Sequence, residues 1–238
     1  MAEMKTYDRL VLHVPHASVE GLKDSGWPET EAFWNEVKKW TDWDTDNLFP
    51  SPSIKLLDKE ISTVRFPISR FVVDVERLKD DPMEKVGQGI IYRQFGEHHR
   101  DLSAEDEHRL MDLYERHQNK LVSQLSPGCL LIDTHSFPSD LSDVDVCIGF
   151  NEDWSQPPQE VIDMIAETFM NEGYKVGINN PYANSISPQC EFSYHSVMIE
   201  LNKHIYWNER ELCQSEGASK IKRLIKELYM NLLGIPLK

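Results

Sequence analysis

Four short polar segments carry most of the residues that could do chemistry. They are His13-Val14-Pro15-His16-Ala17-Ser18, Asp133-Thr134-His135-Ser136, Glu200-Leu201-Asn202-Lys203, and a segment that sets Arg70 beside Asp74 and Arg77. Each follows or interrupts a run of apolar residues, so each reads as the end of a strand. A lone His in such a place is more often structural than a ligand. Two at separate strand ends, with carboxylates at hand, are another matter. Neutral imidazole and carboxylate are donors that Zn²⁺ accepts, and a catalytic zinc site takes three protein ligands and leaves one position open. His16 and His135 can supply two of the three.

The third ligand has several candidates. Thr41-Asp42-Trp43-Asp44-Thr45-Asp46 places carboxylates at alternate positions. If the segment is helical, Asp42 and Asp46 stand at i, i+4 and share a face; a solvated acidic helix end is the plainer reading. Glu20, four residues after His16, is a further candidate. A calcium loop of the EF-hand type does not fit, because its Gly and terminal Glu are absent. Glu200 ends the apolar run Ser196-Val197-Met198-Ile199, where a carboxylate either pairs with a cation or has a raised pKa. Beside an activated water it is a natural general base. Arg65, Arg70, Arg77 and Arg93 crowd one third of the chain, and an Arg near a cleft fixes carboxylates by bidentate contact. Motifs for a nucleophile elbow, a phosphate loop or an H-E-x-x-H zinc helix are missing.

The elements that must position these groups alternate. Strands are expected over residues 8–14, 61–65, 71–75, 129–132, 144–150, 175–178 and 196–201. Helices are expected over residues 30–48, from Ser103 to Leu125 with Leu110, Tyr114, His117 and Leu121 on one stripe, over 158–171, and over 215–233. Residues 76–96 show little periodicity and read as a long functional loop. Strand–helix alternation predicts an α/β fold: a mixed, mostly parallel sheet covered by helices on both faces. Ligand sites in such sheets lie beyond the carboxyl ends of the strands, where the four segments fall. The expectation is one domain over residues 1–238.

Charge narrows the partners. The chain has 238 residues, with 40 Asp and Glu against 25 Lys and Arg, a net charge of −15. Its mean field repels nucleic acid and anionic membranes. No apolar run approaches the ~18 residues of a membrane span, and the polar first ten residues lack a secretory h-region. Cys129, Cys147, Cys190 and Cys213 form no C-x-x-C pair, which reads as reduced thiols in a cytoplasmic protein.

Taken in order, seven segments resemble the N-formylglutamate amidohydrolase family. They are Leu10-Val-Leu-His-Val-Pro-His16-Ala-Ser, Thr41-Asp-Trp-Asp-Thr-Asp-Asn-Leu-Phe49, Ser69-Arg-Phe-Val-Val-Asp74-Val-Glu-Arg77, Ile91-Tyr-Arg93, Leu131-Ile-Asp-Thr-His135-Ser-Phe, Asn180-Pro-Tyr182 and Ile199-Glu-Leu-Asn-Lys-His-Ile-Tyr206. Singly each is weak; together, in the family's order, they are specific. The resemblance implies a fold like zinc carboxypeptidases and aspartoacylases and a zinc-dependent amidohydrolase of small N-acyl amino acids, with N-formyl-L-glutamate first among them. His16 and His135 would be zinc ligands, with Asp46 favoured as the third, then Asp42, then Glu20. Glu200 would be the general base. Arg70, Arg77 and Arg93 are candidates for the oxyanion and the substrate carboxylates, with Arg77 and Arg93 preferred. Tyr92, Asn202 and His204 would line the site, and the loop carrying Tyr92 and Arg93 would close over substrate.

This chain departs from the family pattern at two places. It has Asp74-Val-Glu76-Arg77 where the family usually has Asp-x-Asn-Arg, and Ala183-Asn184 where a Gly is usual after the Asn-Pro-aromatic segment. The expected partner is a small anionic substrate, with no nucleic acid and no membrane, for a monomer or small homo-oligomer. Other readings are an aspartoacylase-like or peptidase-like hydrolase, or a non-catalytic amino-acid-binding protein on the same scaffold.

Overall fold

A computed structural model describes residues 6–49, 55–56 and 59–235. Residues 1–5 of the polar N-terminal stretch lie outside the described residues.

In chain order the elements are β1 (Arg9–Val14), α1 (Glu31–Trp40), α2 (Thr45–Leu48), β2 (Lys55–Leu56), β3 (Lys59–Arg65), β4 (Gln94–Phe95), β5 (His98–His99), α3 (Ala104–Gln124), β6 (Leu130–Phe137), β7 (Val146–Gly149), α4 (Gln159–Met170), β8 (Val176–Ile178), β9 (His195–Asn202), β10 (Trp207–Asn208), β11 (Cys213–Gln214) and α5 (Ala218–Leu232). The main sheet runs β2-β3-β1-β6-β9-β7-β8. β3, β1, β6 and β9 are parallel to one another, β7 and β8 are parallel to each other, and β7 is antiparallel to β9. This is the mixed, mostly parallel α/β sheet that the alternating elements predict.

Both faces of the sheet are buried, so its central strands are apolar at every position until the site begins. Leu10, Leu12, Leu130 and Ile132 pack with Ile221, Leu224 and Leu228 of α5 and Ile165 and Phe169 of α4. Val11 and Leu131 point the other way, against Leu121 of α3. The strand period of two separates these rows. Leu12 has no exposed surface, and Leu12→Ala is expected to lower the unfolding free energy by about 2–5 kcal/mol, measured by denaturant melts.

Three elements differ from expectation, each for a local reason. The helix expected over residues 30–48 is broken. α1 ends at Trp40, Thr41 is extended, and Asp44 takes a left-handed conformation with φ +65° before α2 begins. The break is held from outside, by the Asp42 amide donating to the His16 carbonyl at 3.1 Å. Residues 71–75 are a turn rather than a strand. Val72 N–H donates back to Ser69 O, and Asp74 N–H donates to Ile90 O. The 76–96 loop contains a 3₁₀ turn, Pro82–Val86, capped by Asp81, and joins the β4–β5 hairpin. Conversely, β6 and β9 run further than their apolar residues, because β6 is paired along its length and its polar side chains find buried partners.

All four cysteines are free thiols. Among the described residues no helix is long and apolar enough to cross a membrane.

Candidate active site

Strand register assembles the centre. Odd-numbered residues of β6 face α3, so the apolar row containing Leu131 continues as Asp133 and His135. His13 of β1 stands opposite Asp133, and Glu200 of β9 stands opposite His135. Pro15 ends β1 and delivers His16 just beyond it. The break between α1 and α2 delivers Asp42. Asp42, His16 and His135 are all buried.

His16, Asp42 and His135 present one donor atom each within 4.8 Å of one another. Asp42 Oδ2 lies 3.0 Å from His135 Nδ1 and 3.6 Å from His16 Nδ1. Three donors around a tetrahedral Zn²⁺ with ligand distances near 2.0–2.1 Å would stand about 3.4 Å apart; the two spacings bracket that value. The outer sides of both rings face carboxylates. His16 Nε2 is 2.8 Å from Asp74 Oδ1, and His135 Nε2 is 3.1 Å from Asp133 Oδ1. Carboxylates behind metal-binding imidazoles fix their orientation and raise their basicity. Among the described residues the buried His16 Nδ1 has no hydrogen-bond partner, although an orphaned ring nitrogen is costly. These residues fit a divalent cation.

The electrostatics point the same way. Burial pushes the Asp42 carboxyl up, but the bond from His135 and the adjacent His16 ring outweigh it and hold it well below the usual carboxylate range. Burial pushes His135 down, while Asp133 and Asp42 drive it well above the usual range for His. A cation held there would displace a proton from His135, so its binding would weaken as pH falls. Glu200, 9% exposed, is pushed up to about 8. Burial is the main cause, Asp42 and Glu76 add to it, and His135 and Arg70 oppose it.

Two supporting networks lie behind this cluster. Asp74, fully buried, accepts from His16 Nε2, from Tyr92 Oη at 2.5 Å and from Arg70 at 3.1 Å, with Arg77 Nε at 3.7 Å. Asp133 accepts from His13 Nδ1 at 2.8 Å, and the remaining His13 nitrogen meets His117 Nε2 of α3 at 2.9 Å. His117 is pushed down to about 3 by burial and by His13. It is therefore neutral, and one of the two facing nitrogens donates to the other. Sequence reasoning singled out Asp74 and Asp133 without giving either a role, and it left His117 on an apolar stripe. The signal was present for Asp133, which sits two residues before His135 and so shares its strand face.

The sequence-predicted site residues divide. His16, His135, Asp42 and Glu200 come together, and Arg70, Arg77 and Tyr92 line the same cleft. The preference for Asp46 as third ligand is not what the fold delivers: the helix break turns Asp46 away to pair with Arg65 at 2.8 Å. Glu20 is exposed. Arg93 pairs with Glu107 of α3. Asn202 is buried as a brace, donating to Ser142 O and Val144 O and capping the turn that follows β9. His204 points to Asp145 at 2.8 Å. None of these last five lines the cleft, whose volume is about 1520 Å³. Tyr182, which follows the cis Asn180–Pro181 bond, does line it.

Comparison with known proteins places this geometry in context. A family model described as N-formylglutamate amidohydrolase matches residues 8–207. A crystal structure of N-formylglutamate amidohydrolase from Ralstonia eutropha JMP134 superposes with a TM-score of 0.75 at 18% identity, covering 98% of this chain and 95% of that one. The structure of a gene product from Agrobacterium tumefaciens superposes with a TM-score of 0.63 at 16% identity, covering 95% and 92%. At these identities the likeness is one of fold. Comparison with curated proteins gives no match.

Proposed function

This chain belongs to the N-formylglutamate amidohydrolase family, and on that premise we propose that it is a metal-dependent hydrolase of the amide bond in small N-acyl amino acids. N-formyl-L-glutamate, yielding glutamate and formate, is the reference substrate. The observation that carries the reading is the buried triad of His16 Nδ1, Asp42 and His135 Nδ1 beside a carboxylate of raised pKa.

His16, Asp42 and His135 would hold the cation, for which we favour Zn²⁺. When bound, it supplies Lewis acidity to the scissile carbonyl and to the attacking water. Glu200 takes the proton of that water and passes it to the leaving nitrogen. Asp74 and Asp133 keep the two imidazoles oriented. Arg70 and Arg77, on the cleft wall, would orient the α-carboxylate, and Arg77 would steady the tetrahedral oxyanion, an effect of about 3 kcal/mol for one donor.

Metal analysis paired with hydrolysis assays tests the reading. Full amide turnover by metal-free protein overturns it, and tight amino-acid binding with no metal and no turnover favours a binding protein instead.

The pH profile follows from Glu200. A base works deprotonated, so activity rises with pH through its pKa. Burial raises that pKa and a nearby cation lowers it again. The acid limb of kcat/KM is therefore expected between the ordinary Glu value of about 4.3 and the value of about 8 set by the protein alone. The residual activity of Glu200→Gln should lack that limb.

A further inference from the structure

Each cation lining the cleft already has an acidic partner. Arg70 is 3.1 Å from Asp74, Arg77 is 3.7 Å from both Asp74 and Asp81, and Lys79 is 3.9 Å from Glu115. Beyond Asp42 and Glu200, five further carboxylates line the walls: Glu36, Glu76, Asp81, Glu115 and Asp153. Among the described residues seven acidic groups thus face three basic ones, with Asp74 buried beneath. A divalent cation removes only half of the excess of four. The cleft keeps a net negative field after loading, and low-dielectric walls concentrate such a field on whatever enters.

Glu76 is the group through which this field acts closest to the reaction. It is half-buried and lines the cleft. A carboxylate oxygen of Glu76 lies within 4.8 Å of donor atoms on His16 and Asp74, and one lies as near to Asp133 and His135. Its amide donates to Asp74. Among the described residues its carboxylate has no recorded hydrogen bond or ion pair. A carboxylate with open acceptor positions complements N–H donors and repels a second carboxylate. It also stands beside Arg77 and adds to the negative charge around that guanidinium.

We propose that the cleft selects N-acyl amino acids whose side chain carries a cation, an ammonium or a guanidinium, over dicarboxylates such as N-formyl-L-glutamate, and that Glu76 is the main determinant of that choice. The proposal rests on the amide-hydrolysis reading and narrows its substrate. An N-acyl amino acid with a basic side chain enters as a neutral zwitterion. N-formyl-L-glutamate enters as a dianion, against the field, and with Arg70 and Arg77 taken by its α-carboxylate only Lys79, beside Glu115, remains among the described lining residues to receive the second.

The experiment compares kcat/KM for Nα-formyl-L-arginine, N-formyl-L-glutamine and N-formyl-L-glutamate on metal-loaded wild type and Glu76→Gln. The wild type is expected to favour the arginine compound over the glutamate compound by about 10-fold or more, with glutamine between, the size of one good charge contact. Glu76→Gln should cut that ratio at least about fivefold, and raising the salt about tenfold should compress it through screening. A wild type that favours the glutamate compound, or a ratio that Glu76→Gln does not move, overturns the proposal and leaves the amide reading standing. If no formyl compound is hydrolysed, the amide reading fails. Calorimetric binding of L-arginine against L-glutamate then decides the charge preference: tighter L-arginine, weakened in Glu76→Gln, upholds it, and equal or reversed binding overturns it.

Discussion

Glu200→Gln is expected to keep its metal and lose about 10³-fold in kcat. β9 is parallel to β6, so Glu200 and His135 are lateral neighbours on one face of the sheet, and the carboxylate lines the cleft together with His135 and Asp42. It is absent from the three-residue donor set formed with Asp42, so removing its charge leaves that set whole. The amide of Gln matches the carboxylate in size and keeps its hydrogen-bonding reach, but it cannot accept and return a proton. General-base catalysis of this kind contributes about 10²–10⁴-fold. Burial has already biased this position toward the neutral form, so the uncharged replacement should not unfold the protein. Three measurements together check the prediction: metal stoichiometry unchanged, melting temperature unchanged or raised, and kcat reduced with little change in KM. Turnover within tenfold of wild type would remove Glu200 from the mechanism.

The sheet and its placement of the site were legible because they follow from local rules. β6 reads as a buried strand from its unbroken apolar start, and α3 reads as a helix from Ser103 at its N-cap and Leu110, Tyr114, His117 and Leu121 at helical spacing. Segments at the ends of such strands had to meet at one edge of a parallel sheet, and His16, His135 and Glu200 did. What the sequence concealed depends on long-range contacts. The choice between Asp42 and Asp46 turns on a helix break set by a hydrogen bond to His16, 26 residues earlier. Arg93 has the right residue type for an anion site, yet its partner is Glu107 on a helix whose approach no local pattern encodes. Residues 71–75 have strand composition, but their backbone groups are consumed by Ser69 and by Ile90. Asn202 and His204 lie beside Glu200 in sequence, and the 3₁₀ turn that begins at Lys203 points them away from the cleft.

Asp42→Asn is expected to abolish metal binding and activity together, while Asp46→Asn changes neither. The two residues have equal claims by composition, four positions apart in an acidic segment, and the fold separates them. Asp42 is 2% exposed and stands between the two imidazoles, 3.0 Å and 3.6 Å from their Nδ1 atoms. Asp46 pairs with Arg65, which is half exposed. Exposed ion pairs of that kind contribute about 0–1 kcal/mol, so Asp46→Asn should cost little stability and no metal. Asn at position 42 keeps a carbonyl oxygen but loses the negative charge that offsets the cation, and it takes away the carboxylate that is bonded to His135 and stands beside His16. Metal affinity should fall by at least about 100-fold, as it does when charged ligands or their supports are removed. The fold should survive, because the buried charge is removed rather than stranded and the two rings keep Asp74 and Asp133 behind them. Metal stoichiometry after dialysis against a weak chelator, read beside kcat, separates the outcomes. An Asp42→Asn protein that holds a full equivalent of metal would mean that the cation is held elsewhere, and loss of metal in Asp46→Asn would return the third ligand to the position favoured from composition alone.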